Sequence, residues 1–453
     1  MSGLLDSLAS ASNALIAQRM GLDVVGQNLA NINTPGYSRR TLDLAELAAT
    51  DALSAGRGVT VQGVRALRDQ FVDARLRGEQ GSTGHDEALA QVLGTIEAAT
   101  GLPGTGLDAR LSAFFDAFAA LSNDPTSAVA RDSVMRQGID LSQAFHNLVG
   151  QLDASAQDAD TAVRASVDEV NALTTELASL NARIATSAFG TETLRDRQGV
   201  ILQRLGELAD VSVLQRQDGG VDVTLASGRA IVIGETAYAL KTSGPGTATI
   251  SLEGVDVTSE LSGGRIGGLL RARDVIVPGY ITQIDQLAYD LATAVNTTHA
   301  TGFDATGVAA GNFFTAPASV AGAANGMSVD AAILADSGRI AASATGAPGD
   351  NGIARQLAAM RAQAITAGGT QSATDAWGSF TYSVGTDLAA AQAGQASHAK
   401  VVTQLQALQA QASGVSYDEE AANMMRYQRA YEANARYFKT ITDTLDTLME
   451  MVQ

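Results

Sequence analysis

Four imidazoles, His85, His146, His299 and His398, are all the chain offers for metal-ligand or general-base chemistry, and it has no cysteine. Metal sites need two or more such ligands at short spacing, as in H-E-x-x-H, and none of the four has a second histidine or a carboxylate so placed. Lack of Cys excludes disulfides, thiolate metal sites and thiolate nucleophiles. No G-x-S-x-G elbow presents a serine nucleophile. His146, in AFHNL, reads as an ordinary helical residue. Two glycine clusters, GLPGTG (Gly101 to Gly106) and GGRIGG (Gly263 to Gly268), lack the Lys-Ser/Thr of a phosphate loop and read as turns. FDATG, Phe303 to Gly307, holds one carboxylate where a calcium loop needs several. Asp418-Glu419-Glu420 suits the positive N-terminal end of a following helix. The expectation is that the chain is not an enzyme: no catalytic residue, no metal and no cofactor.

Composition narrows the class further. With 453 residues the chain is long enough for two to four domains. Thirty basic against 48 acidic residues give a net charge of −18, which disfavours nucleic acid as a partner because phosphate contacts need Lys and Arg. The first 30 residues lack the basic and apolar regions of a cleaved signal, and no run of eighteen apolar residues would insert in a membrane. Any export must use a route that reads no cleaved signal.

With chemistry lacking, the elements at the two ends carry the information. Met1, Leu4, Leu8, Ala11, Leu15, Gln18, Leu22, Val25, Leu29 and Ile32 alternate by three and four, a coiled-coil seam with one polar member. Thr34-Pro35-Gly36 stops it. At the other end Tyr417, Glu420, Met424, Tyr427, Tyr431, Asn434, Phe438, Ile441, Leu445, Leu448 and Val452 repeat the pattern. A lone helix of this kind is marginal in water, so the two ends are expected to pair, antiparallel or parallel; docking of each on a globular core is the competing reading. Tyr417, Tyr427, Tyr431, Tyr437 and Phe438 interleave there with Arg426, Arg429 and Arg436, residue types that anchor interfaces.

Between the ends the fold class reads as mainly α with a small β-rich insertion. Leu111, Phe114, Phe115, Phe118 and Leu121 share one helical face that ends at Asn123-Asp124-Pro125. A long helix is expected from Ser127 to about Ser187, with Leu141, Phe145, Leu148, Leu152, Val163, Val167, Val170, Leu173, Leu177, Leu180 and Ile184 on its apolar face. From Val211 the residues alternate, with Asp218-Gly219-Gly220 as a hairpin turn, which predicts an antiparallel β element over 211–258. Helix returns from Ile266 to about His299, irregular structure fills 301–352, and helices follow from near Asn351 and from about Tyr382 to Ala412. The chain is expected to be elongated and multidomain: 1–60 with 400–453 as a terminal helical assembly domain, 61–205 with 340–399 as a helical bundle, and 206–339 as a β-containing insertion.

NLANINTPGYSRR, Asn28 to Arg40, resembles the amino-terminal motif of axial proteins of the bacterial flagellum, the rod, hook and hook-associated proteins. SGVSYDEEAANMMRYQRAYEANARYFKTITDTLDTLMEMV is similar to their carboxyl-terminal motif. Within that group the chain most resembles the hook-associated protein 1 family: through Tyr37-Ser38-Arg39, FFDAFAALSNDPTSAVARDSVMRQGIDLSQAFHNL, LRDRQGVILQRLGELADVSVLQRQDGGVDVTLASG, HATGFDATGVAAGNFF and APGDNGIARQLAAM. Residues 225–265 are the least similar stretch.

The resemblance implies a structural subunit at the hook–filament junction, ring-forming and extracellular after passing through the cytoplasm. Its implied partners are further copies of itself, the hook protein, hook-associated protein 3, a cytoplasmic export chaperone on the carboxyl-terminal helix, and the type III export apparatus. A hook or distal-rod subunit is the alternative. Terminal helices that order only on joining the tube are implied too, and paired heptads suit coupled folding. Assembly contacts are then expected at Leu8, Leu15, Leu22, Val25, Asn28, Leu29, Asn31, Ile32, Asn33, Pro35, Gly36 and Tyr37. On the carboxyl-terminal helix they fall at Met424, Tyr427, Tyr431, Asn434, Phe438, Ile441, Leu445, Leu448 and Val452.

Overall fold

The computed structural model describes residues 2–48, 58–101, 104–187, 190–244 and 246–452. Met1 of the amino-terminal seam, and Leu102 and Pro103 of the first glycine cluster, lie outside these residues, as does the side chain of Val452. The fold is mainly α with a small β-rich insertion, elongated, with both chain ends in one helical pair.

The first helix, α1 (Ser2–Ala30), packs against the last, α12 (Tyr417–Val452). The pair is antiparallel: Asn28 at the end of α1 meets Glu420 at the start of α12, and Gly21 lies against Tyr427. α1 ends before Thr34-Pro35-Gly36, where Gly36 takes φ +79°. The expected terminal helical assembly domain holds strand as well as helix. Strands β1 (Arg40–Glu46) and β2 (Val59–Ala66) form an antiparallel hairpin that packs on α1. Alternation in RTLDLAE and VTVQGVRA carries the strand signal, which the seams at the two ends overshadow.

The body begins with α2 (Gln70–Thr100), capped by Asp69, whose carboxylate accepts from the amides of Phe71 and Val72. It pairs antiparallel with α11 (Ala373–Ser413), through Gln409 donating to Asp73 at 2.6 Å and His398 against Glu79 at 2.8 Å. α11 starts nine residues before the expected Tyr382, because Ser372 caps it and Trp377 and Phe380 anchor its first turns in the core.

α3 (Leu107–Asn123) buries the five expected apolar residues completely or nearly so. α4 (Ala128–Thr186) runs the expected length from its Ser127 cap, and α5 (Glu192–Leu208) returns along it. Four strands follow as an antiparallel meander: β3 (Val211–Gln215), β4 (Val221–Leu225), β5 (Ala230–Ile233) and β6 (Thr236–Ala237). Gly219 makes the β3–β4 turn at φ +85°. A second sheet has β7 (Leu240–Thr242), β8 (Ile250–Leu252) and β9 (Val255–Asp256). Both are tied to α4 by side-chain amides: the buried Asn181 bonds the N–H and C=O of Val221, and the half-buried Asn171 those of Leu240, each standing in for a neighbouring strand.

The expected helix from Ile266 to His299 is interrupted. α6 (Gly264–Arg271) and α7 (Val277–His299) flank a π-helical turn at Ala272–Ile276, because Pro278 lacks an N–H and its ring crowds the preceding turn. In GGRIGG only Gly264 sits at positive φ; Gly268 lets α6 approach α2 so closely that a Cβ would lie 2.3 Å from the His85 carbonyl. Residues 301–352 are irregular, with short helices α8 (Ala323–Gly326) and α9 (Ala331–Ala335). α7 holds them by their backbones: Asp285 accepts from Gly322 and Ala324, Asn296 bonds Phe313 and Phe314, and His299 bonds Gly311 and Ala341. Phe313 and Phe314 thereby reach the rings of Phe114 and Phe118 in the core. α10 (Gly352–Ala359) closes this region against α3.

Candidate functional site

Asn28 is the centre of a buried polar joint where four elements meet. It is 1% exposed. Its amide nitrogen donates to the Arg40 carbonyl and to Glu420 Oε2, both at 2.9 Å. Its amide oxygen accepts from the Tyr37 hydroxyl at 2.8 Å and the Arg40 amide at 3.0 Å. One side chain thus stitches α1, the turn after it, β1 and α12, across 392 residues of sequence. No other side chain has both two donors and two acceptor sites in so compact a form except Gln, which is longer.

Charge completes the joint. Glu420 is also 1% exposed and receives Arg39, which reaches Glu419 as well and whose amide donates to the Ser413 carbonyl at 2.8 Å. Arg40 turns the other way, over the Tyr37 ring and onto Asp196 of α5 at 3.1 Å. Arg68, just before α2, shares Asp196 at 2.6 Å and donates to the Ser38 hydroxyl. Burial raises the Tyr37 phenol above its ordinary range, so it stays protonated and donating at neutral pH. Gly36 is obligatory here: its φ is left-handed, and a Cβ would lie 2.5 Å from Val200 of α5. The arrangement is a clasp that fixes the terminal helix pair to the body. It offers no nucleophile or paired acid and base, and no group of three or more potential ligands for a metal occurs among the described residues.

The structure brings Asn28, Gly36 and Tyr37 into this clasp. Asn31 and Thr34 bond locally, Asn31 donating to the Gln27 carbonyl, while Ile32, Asn33 and Pro35 are exposed. The amino-terminal seam is displaced. Buried positions on α1 are Ala11, Ala17, Gly21, Val24, Val25 and Asn28, so over most of the contact the buried row lies one residue before the expected one. Leu8, Leu15, Leu22 and Leu29 are only half-buried at its edge. Small side chains win the inner row because Tyr427 lies directly on Gly21, where a Cβ would be 2.5 Å from the ring. On α12 the expected row does face α1: Ile441 is buried, and Met424, Tyr427, Asn434, Phe438 and Leu445 are half-buried. Tyr431 and Leu448, at 40% and 38%, lie at the exposed margin.

Sequence reading missed Arg39, Arg40, Arg68, Asp196 and the true role of Glu420, expected only to favour a helix end. The signal available was two adjacent arginines beside a turn in a chain poor in basic residues. FDATG proves a local turn, with Asp304 accepting from the amides of Thr306 and Val308. His146 bonds the Met327 carbonyl from the face of α4, an ordinary structural role.

Comparison with known proteins agrees with this architecture. Residues 93–314 match the family described as the flagellar hook-associated protein FlgK helical domain. Residues 8–37 match the flagella basal body rod protein family, and residues 397–451 the carboxyl-terminal family of flagellar basal body rod FlgEFG proteins. The chain is 28% identical to flagellar hook-associated protein 1 of Bacillus subtilis, over 98% of this chain and 97% of that one. With the Escherichia coli protein of the same name identity is 25% over the whole of both chains. The fold is similar to that of the flagellar hook junction protein FlgK from Burkholderia pseudomallei, with TM-score 0.66 at 16% identity, covering 74% of this chain and 99% of that one. With a helical middle of that kind and rod-type ends joined in one clasp, the chain is similar along its whole length to flagellar hook-associated protein 1.

Proposed function

We propose that this chain is a structural, non-enzymatic subunit of the bacterial flagellum that joins hook to filament, assembled as a ring at the distal end of the hook. The observation that carries the reading is the antiparallel α1–α12 pair, clasped to the body, with a row of half-buried leucines left along its edge. Such a row suits completion by neighbouring subunits. The terminal pair, 1–60 with 400–453, is then the assembly part, the bundle 61–205 with 340–399 the body, and 206–339 the insertion. Further copies of the chain, the hook protein and hook-associated protein 3 are its structural partners. Export passes through the type III apparatus, with a chaperone covering α12 in the cytoplasm, and the mature location is extracellular. The expected assembly residues on α1 and α12 stay in this reading, the leucines as contacts between copies and Asn28, Gly36 and Tyr37 as the joint.

A strain lacking the chain tests this. It should build hooks yet shed filament subunits into the medium. The rod-type matches at both ends favour a hook or distal-rod subunit as the second reading, and hooks that fail to form would support it instead.

A further inference from the structure

The face of α12 turned away from α1 carries an ordered charge pattern that the clasp and the apolar seam do not use. Arg426, Arg429, Arg436 and Lys439 are all exposed, and none makes an ion pair among the described residues; Arg426 lies over the neighbouring Tyr427 ring. Asp443, Asp446 and Glu450 follow, also exposed and equally without an ion pair. Within this run Glu432 is the one residue of opposite sign to its block. At 3.6 residues per turn both blocks fall within about 160° of one face, roughly opposite Tyr427, Asn434 and Ile441. The basic block is notable in a chain of net charge −18 with only 30 Lys and Arg.

We propose that these blocks set the stagger between neighbouring copies: the Arg426–Lys439 block of one α12 lies beside the Asp443–Glu450 block of the next, parallel helix. The occupant is a second copy because the complementary charge lies on the same face of the same helix. The centres of the blocks are about 14 residues apart, so matching them shifts one helix along its neighbour by about 21 Å. The contact is heterologous, with each copy's basic block on one neighbour and its acidic block on another, so with its axial shift it climbs from copy to copy as a helical row round a tube, where an isologous contact would close a dimer. This rests on the self-assembly reading above and adds its axial register.

Charge exchange in the full chain, expressed in the strain lacking it, tests the stagger. One variant carries Arg426→Glu, Arg429→Glu and Arg436→Glu; the other carries Asp443→Lys, Asp446→Lys and Glu450→Lys. Alone, each juxtaposes like charges, and attached filaments should fall at least about tenfold. Co-expressed, they present opposite blocks wherever the two variants alternate, an order the charges themselves favour, and should recover to within about twofold of the unaltered chain. Failure of the mixture, or normal filaments from either variant alone, overturns the proposal. A second measurement uses the absence of native cysteine. Ala433→Cys with Thr447→Cys in one chain should give a ladder of crosslinked copies on oxidation of assembled filaments; a product that stops at dimer indicates antiparallel pairing and also overturns it. If the unaltered chain does not restore filaments, the ring reading itself fails, and the stagger with it.

Discussion

Removing the Asn28 amide should undock the terminal helix pair while leaving the body folded. The side chain is 1% exposed and makes four hydrogen bonds, one to a carboxylate that is itself 1% exposed. In Asn28→Ala the Tyr37 hydroxyl, the Arg40 amide and carbonyl, and one Glu420 oxygen each lose a partner. Neutral bonds contribute about 1 kcal/mol and a bond to a charged group about 1.5–3 kcal/mol, with partial rescue by water that enters, so the joint should weaken by about 3–5 kcal/mol. Because the core of the body lies in α2–α5, α7 and α11, the loss falls on local opening. Hydrogen exchange read by mass spectrometry is the assay, and amides of residues 20–30 and 417–424 should exchange about a hundredfold faster or more. Asn28→Asp sharpens the test. It keeps the shape but removes both N–H donors and sets a carboxylate against Glu420, so it should be at least as damaging as Ala. Exchange within about threefold of the unaltered protein in the Asp variant would refute the hydrogen-bond argument and leave shape alone as the cause.

Other outcomes follow from the same geometry. Deleting residues 1–35 or 417–453 should abolish filament attachment while the remainder keeps a cooperative thermal transition; attachment that continues would sink the assembly role of the ends. Gly21→Leu should cost about 1–3 kcal/mol of α1–α12 pairing, because its Cβ would meet the Tyr427 ring at 2.5 Å; circular dichroism should show lost helix with an unaltered core transition. Burial lowers His299 from 6.5 to about 4, so the unfolded chain takes up a proton at a pH where the folded chain does not. Its contribution is complete above pH 6.5 and is lost as pH falls towards 4, up to about 3 kcal/mol. Denaturant midpoints at pH 7 and pH 4.5 should therefore separate less in His299→Gln than in the unaltered chain.

Periodicity carried the long elements well. The Phe114–Phe118 face, the 59-residue α4 and the β3–β4 hairpin lie where apolar spacing and Asp218-Gly219-Gly220 put them. Signals failed where tertiary partners decide. The β1–β2 hairpin rests on α1, and the π turn depends on one proline acting through an otherwise continuous helix. In the clasp, Asn28 and Tyr37 were visible as a crowded polar motif. Asp196 was not, since nothing in RDRQGV marks a carboxylate that will receive two arginines from β1 and the approach to α2. Asn171 and Asn181 were hidden for the same reason: a polar residue on a helical apolar face gains its meaning from the strand it bonds.

The displaced seam follows from the competition between two faces of α1. A pair built on Leu8, Leu15, Leu22 and Leu29 would hold the helices apart by the width of leucine side chains. Ala11, Ala17, Gly21, Val24 and Asn28 allow the backbones closer, let Tyr427 lie on Gly21 and bring Asn28 within reach of Glu420. The close pair thus gains the polar joint, and the leucines are left half-covered with Leu5 and Ile16 exposed beyond them at 58% and 54%. Completing the burial of four leucines is worth about 1 kcal/mol each, or about 4 kcal/mol per subunit. Association must also overcome lost translational freedom, so one such contact binds weakly, and a subunit held on two sides binds far better. In the proposed ring, the same heptad that reads as an internal coiled coil would serve chiefly between molecules, while the inner contact is left to small residues and one asparagine.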